Sequence, residues 1–145
     1  MTNPQCAGDP IFEETLRHLL PHLHPEWGDR KPMDVFNRLL AKNVRAAGYT
    51  KHSHMDIAPS RICSRREQWG LIEFARLARG HLRAAGPFTR LDGPIVVVEY
   101  QGAMRLLDGN HRINTWLAKG DAEFHPVHIH TIQGAGRVIE LPSAI

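Results

Sequence analysis

The sequence predicts an α/β (α+β) fold with a small mixed sheet, and three observations carry that expectation. Amphipathic helical segments alternate with short β-branched runs rather than forming one class. The run Ile95 to Tyr100 is nearly continuous in β-branched residues, as in a strand covered on both faces. With 42% hydrophobic residues in 145, the chain has material for a real core.

Pro4, Gly8 and Pro10 predict an irregular start. Ile11 to Leu20 reads as a helix, with Phe12, Leu16, Leu19, Leu20 and Leu23 at helical spacing and Glu13 and Glu14 in its first turn. Pro21, Pro25, Gly28 and Pro32 mark a loop. Met33 to Ala47 reads as a second helix, with Val35, Phe36, Leu39, Leu40 and Val44 on one side and Gly48 as its stop. Residues 1–50 therefore form an N-terminal helical extension, and 51–145 the main α/β domain. The two helices either pack on that domain or present a surface to a protein partner.

Asp56 to Ile62 reads as a short strand and turn. Glu67 to Ala85 is the longest helical run, burying Leu71, Phe74, Ala75, Ala78 and Leu82 and ending at Gly86-Pro87. Asp92-Gly93 is a turn before the strand from Ile95 to Tyr100. Gln101-Gly102 is a hairpin turn and Met104 to Leu107 the return strand. A helix follows, ending before Gly120. Val127 to Ile132 is a strand, Gly134 to Gly136 a break, and Val138 to Leu141 a final edge strand.

The chemistry concentrates between the hairpin and the next helix, in Asp108-Gly109-Asn110-His111-Arg112. Asp-Gly is a turn dipeptide, and Gly109 admits backbone conformations closed to other residues. A helix start there offers N–H groups and the positive end of its dipole to an anion. Arg112 is a planar fork suited to phosphate, and His111 donates to an anion or carries a proton near neutral pH. The same residues also serve as a plain turn with a capped helix.

This motif, with Gly120 eight residues past Arg112, resembles the signature of the ParB/sulfiredoxin superfamily. The resemblance extends to Met55-Asp56-Ile57-Ala58-Pro59-Ser60-Arg61-Ile62, to Glu73-Phe74-Ala75-Arg76-Leu77-Ala78, to Gly86-Pro87-Phe88 with Pro94-Ile95-Val96-Val97-Val98, and to Pro126-Val127-His128-Ile129-His130. It covers about residues 54 to 132. It implies a compact ParB/sulfiredoxin-like domain and a nucleotide or phosphate site. Sulfiredoxins carry a reactive Cys where this chain has Asn110, and partition proteins carry Gly-Glu-Arg-Arg in place of this loop. The serine-kinase branch, with an Asp-Gly-His-His-Arg-like loop, is the nearest match, and other members are nucleases or phage and plasmid proteins.

The functional expectation is a nucleotide-binding protein that transfers or hydrolyses the phosphate of ATP or CTP with Mg²⁺. Asp108 and His111 are the catalytic candidates. Gly109, Asn110, His111 and Arg112 bind phosphate, joined through the resemblance by Ser60 and Arg61. Ser64, Arg65, Thr89 and Arg90 are weaker candidates, and Asp56, Glu67 and Glu73 are the other carboxylates near in sequence.

A second reading is a nucleic-acid-binding protein or nuclease. The net charge is +3, and 14 of 18 cations are Arg. Arg76, Arg79 and Arg83 line one stripe of the longest helix. A third is an inactive interaction module; a homo-oligomer is compatible with each. No metal site is expected: His128 and His130 share a strand face with His125 nearby, yet no complete ligand set follows, and a solvent-facing strand side explains them. His22, His24, His52 and His54 read as exposed loop residues. No apolar run suits a membrane span, and no leader pattern is seen. Cys6 and Cys63 lack metal spacing, which favours reduced thiols, a packing role for Cys63 and a cytoplasmic setting.

Overall fold

The structure, a computed structural model, describes residues 10–19, 32–44, 50, 52–81 and 93–140. Helices α1 (Pro10–Leu19) and α2 (Pro32–Val44) precede strand β1 (Ser53–Met55) and a 3-10 turn at Pro59–Arg61. Strand β2 (Ile62–Trp69) leads into α3 (Leu71–His81), followed by the hairpin β3 (Ile95–Tyr100) and β4 (Ala103–Asp108). Helix α4 (Asn110–Lys119), β5 (His125–Ile132) and β6 (Val138–Glu140) complete the order.

The main sheet runs β2-β5-β3-β4. β5 is antiparallel to β2 and parallel to β3, and β3 is antiparallel to β4, so the sheet is mixed. β1 and β6 pair separately as a small antiparallel ladder. The α+β class expected from the sequence is the one observed.

Alternation along β3 and β5 builds two cores on opposite faces of the sheet. Val96, Val98, Tyr100 and Ile132 meet Phe12 and Leu16 of α1 and Phe36 and Leu40 of α2. Ile95, Val97, Val127 and Ile129 meet Phe74 and Leu77 of α3 and Ile113 of α4. Ile95 through Val98 are all buried, which is why these four consecutive residues are apolar. Helices α1 and α2 share one core with the strands, burying Phe12, Leu16, Phe36, Leu40 and Ala41. The Arg105 guanidinium of β4 donates to the Asn43 carbonyl in the last turn of α2, where a cation also suits the helix dipole.

The hairpin follows its sequence closely. Gln101 and Gly102 both take positive φ (51° and 79°), the two-residue turn that matches strand twist. Elsewhere the structure corrects the sequence reading. Glu67 to Trp69 is strand rather than helix, because pairing with β5 continues to Trp69 opposite His125 and the Trp69 ring packs on Phe74. Glu73 accepts the Gly70 N–H at 2.9 Å and starts α3 there. The first strand lies at Ser53–Met55, not over Asp56 to Ile62, where Pro59 lacks a ladder donor.

His54 is buried on β1 and donates to the Ile139 carbonyl, rather than sitting in an exposed loop. His128 and His130 are buried rather than solvent-facing, because α1 docks on that face. Cys63 is disulfide-bonded, against the expectation of reduced thiols, and its partner lies outside the described residues. The expected helix end at Leu82 to Ala85, and Cys6, His22, His24, Arg83, Thr89 and Arg90, also lie outside the described residues. No described helix is long and apolar enough to cross a membrane.

Candidate functional site: the corner between β4 and α4

Three local features make the corner. The first is a bulge: Val97 pairs with Leu106 and Val96 with Asp108, so Leu107 is an extra residue in β4. Bulges bend a strand and re-aim the side chain that follows, here Asp108. The second is Gly109, whose φ of +116° lets the chain leave β4 and enter α4 without a spacer. A Cβ there would lie 2.3 Å from Ile95 Cδ1. The Gly109 carbonyl accepts the first helical bond, from Ile113 N–H at 3.0 Å.

The third feature is Arg112. Its side chain is only 4% exposed. Nη1 donates to the Gly93 carbonyl at 2.6 Å and Nη2 to the Pro94 carbonyl at 3.2 Å. Nη2 also lies 3.5 Å from Asp108 Oδ2, a long ion pair. The guanidinium thus ties the first turn of α4 to the residues leading into β3. The sequence assigns this fork to a phosphate; in the structure it holds main chain. Asp108, Asn110 and His111 are half-buried at the same corner, Asp108 being 23% exposed. Asn114 Nδ2 and Thr115 Oγ1 donate to the Asn110 and His111 carbonyls one turn on.

Other predicted site residues are not brought here. Asp108 stands in one row with Val96, His128 and Arg66. Arg61 is beyond the far end of β2, where its carbonyl accepts the Gln133 N–H. That is five residues along the strand, about 17 Å. Arg61 also donates from Nε and Nη2 to the Gln133 carbonyl at 3.0 and 2.8 Å, and from Nη2 to Ala135 at 2.7 Å. It clamps the 133–135 loop, and neighbouring Ser60 is exposed on the 3-10 turn. Arg76 is exposed on α3. The Arg79 side chain lies outside the described residues, so the stripe is described at one position.

The alternative carboxylates are engaged elsewhere. Asp56 accepts the Arg137 N–H, which holds its carboxyl below the usual range. Glu67 accepts from Arg65 and from Trp69 Nε1, and its carboxyl is likewise lowered, chiefly by Arg65. Glu73 caps its own helix. Among the four sequence candidates, only Asp108 stands at the corner. Arg65 is itself shared between Glu67 and Glu99.

His125 does not join His128 and His130. It takes the opposite face of β5, stacked on Trp116 with ring centroids 3.6 Å apart. Asp121, Glu123 and His125 bring ligand atoms within 4.8 Å of one another, a grouping not read from the sequence. It is also a self-completing turn: Asp121 Oδ1 accepts the Glu123 N–H at 2.8 Å, and Oδ2 lies 3.3 Å from His125 Nε2.

Sequence reasoning missed the bulge, which has no residue signature here, and the carbonyls of Gly93 and Pro94, since backbone acceptors are invisible in a side-chain motif. It also missed a buried Thr15–Ser64 link to the two β5 histidines, whose members come from three separate segments. Against known proteins, no family model, curated protein or solved structure matches this chain.

Proposed function

We propose that this protein binds a nucleoside triphosphate, ATP or CTP, with its phosphates at the Asp108–His111 corner, and transfers or hydrolyses the terminal phosphate. The observation that carries the reading is the junction at Gly109, where a bulged strand turns directly into the positive end of α4. The resemblance of Asp108-Gly109-Asn110-His111-Arg112 to the ParB/sulfiredoxin loop supports the same ligand. Asn110 and His111 contact phosphate oxygens from the first turn. Asp108 orients the attacking water or hydroxyl, and His111 donates to the departing oxygen. Arg112 acts as a positioning residue through its carbonyl bonds.

Asp108, half-buried at the corner, would be the carboxylate to hold a Mg²⁺ ion there, with phosphate oxygens and waters as the remaining ligands. Mg²⁺, when bound, shares the phosphate charge.

The test is a melting screen with ATP, CTP, GTP and ADP, each with and without Mg²⁺, alongside a short DNA duplex. A ligand at one hundred times its Kd stabilises by about 2.7 kcal/mol, several degrees for a chain this size. The expected result is a saturable, base-selective shift that Asp108→Asn and His111→Ala reduce. No nucleotide shift, or one untouched by both variants, overturns the proposal. A shift with DNA alone that collapses as salt rises replaces it with nucleic-acid binding.

A further inference from the structure

On the sheet face away from α4, two histidines are buried beneath α1. His130 is fully buried and His128 is 2% exposed. The Thr15 hydroxyl of α1 lies 2.8 Å from His130 Nε2 and 2.9 Å from His128 Nδ1. Ser64 Oγ of β2 lies 2.6 Å from His130 Nδ1. The result is one chain, Ser64–His130–Thr15–His128, running through β2, β5 and α1. A hydroxyl both donates and accepts, so two neutral imidazoles complete every bond in it.

The surroundings decide what a proton does there. The rings of Phe12 and Phe36 pack nearly perpendicular to that of His130, with centroids at 5.3 and 6.0 Å. β3 contributes Val96 and Val98, and α2 adds Leu40. Among the described residues, His128 is the titratable group that acts on His130, while Glu14 of α1 feels Arg66 of β2, His128 and Arg17. Glu14 is paired with Arg66, leaving its charge already answered. A cation at His130 would face apolar rings, two hydroxyls and another imidazole.

We propose that this chain is a proton-sensitive latch: acidification releases α1 from β2 and β5, uncovering Ile62, Ser64 and His130 while the main sheet stays paired. The ladder between β2 and β5 does not run through α1, so the helix can lift without breaking strand hydrogen bonds. Burial first, and His128 second, lower His130 from 6.5 to about 3. Release returns the ring to water and its ordinary affinity for a proton. The docked state therefore loses ground as pH falls from 6.5 towards 3 and is unaffected above that window. At pH 5 the shift favours release by about thirty-fold relative to pH 7.5.

Hydrogen exchange measured at pH 7.5 and pH 5.0, corrected for intrinsic rates, tests the latch. Protection of residues 10–19 should fall about thirty-fold while residues 125–132 keep theirs. His130→Gln, which retains hydrogen bonds without titrating, should abolish the difference. An α1 response below threefold, equal loss across α1 and β5, or an undiminished response in His130→Gln overturns the proposal. If that variant fails to fold, NMR titration of the wild-type ring decides. A His130 signal flat to pH 5 in the docked state supports the latch, and one titrating near 6.5 refutes it.

Discussion

Gly109→Ala is the most direct probe of the corner. At a φ of +116°, an L side chain is strained wherever it points, a cost of about 1–3 kcal/mol. The new Cβ would also stand 2.3 Å from Ile95 Cδ1. Ile95 is almost wholly buried between Val97, Phe74 and their neighbours, so it yields only by disturbing that core. Overpacking of this kind adds about 1–3 kcal/mol. The two effects together predict a loss of about 4 kcal/mol, a large share of a typical domain's stability. Urea denaturation should show it as a midpoint lowered by about 2 M with an unchanged slope. Ile95→Val separates the two causes because it removes Cδ1. Alone it costs about 1 kcal/mol; on Gly109→Ala it should cost nothing or restore stability, a coupling of about 1–2 kcal/mol. Strict additivity would refute the steric argument, and a Gly109→Ala loss under about 1 kcal/mol would refute the conformational one.

Three further substitutions have defined outcomes. Arg112→Lys removes the fork that serves the Gly93 and Pro94 carbonyls and should cost about 2–3 kcal/mol in thermal melting without ligand; an unchanged melting temperature would show that those bonds do not hold the corner. Arg61→Ala should cost about 1–2 kcal/mol by releasing Gln133 and Ala135, yet leave any nucleotide-induced shift intact. Loss of that shift would contradict the separation of the two ends of the sheet. Glu14→Gln breaks an exposed ion pair and should cost under about 1 kcal/mol at pH 7. Because Arg66 lowers the Glu14 carboxyl, the pair's small contribution is present above the ordinary carboxylate range and fades as pH falls through 4.5 and below; a destabilisation undiminished at pH 3 would show another origin.

The parts legible in the sequence are those set by local periodicity. Ile95 to Tyr100 announced a doubly covered strand, and Gln101-Gly102 a two-residue turn, because both signals lie in adjacent residues. The start of α4 after Gly109 and its stop at Gly120, with φ of +66°, were equally local. Non-local packing was not legible. Glu67-Gln68-Trp69 has helical character by itself and becomes strand only through pairing with β5, sixty residues away in the chain. His128 and His130 look like the wet side of a strand until α1 covers them. Arg61 looks like a neighbour of the phosphate loop through the family resemblance, whereas the strand register puts it at the other end.

Arg112 shows why a motif can locate a corner without fixing what each of its parts bonds. A guanidinium beside a helix start satisfies two designs, one holding an anion and one holding the chain. Sequence spacing is the same in both. The structure uses the second, since carbonyls of Gly93 and Pro94 occupy the fork and a half-buried carboxylate stands nearby. A strand-to-helix turn with no further role needs one permissive residue. This one combines a bulge, a glycine under steric contact and a buried arginine, each costly to replace. Such over-determination is what preorganisation of a binding site requires. In the proposed reading the ligand contacts fall to Asp108, Asn110 and His111, so Asp108→Asn and His111→Ala, rather than an Arg112 variant, are the substitutions that test binding apart from folding.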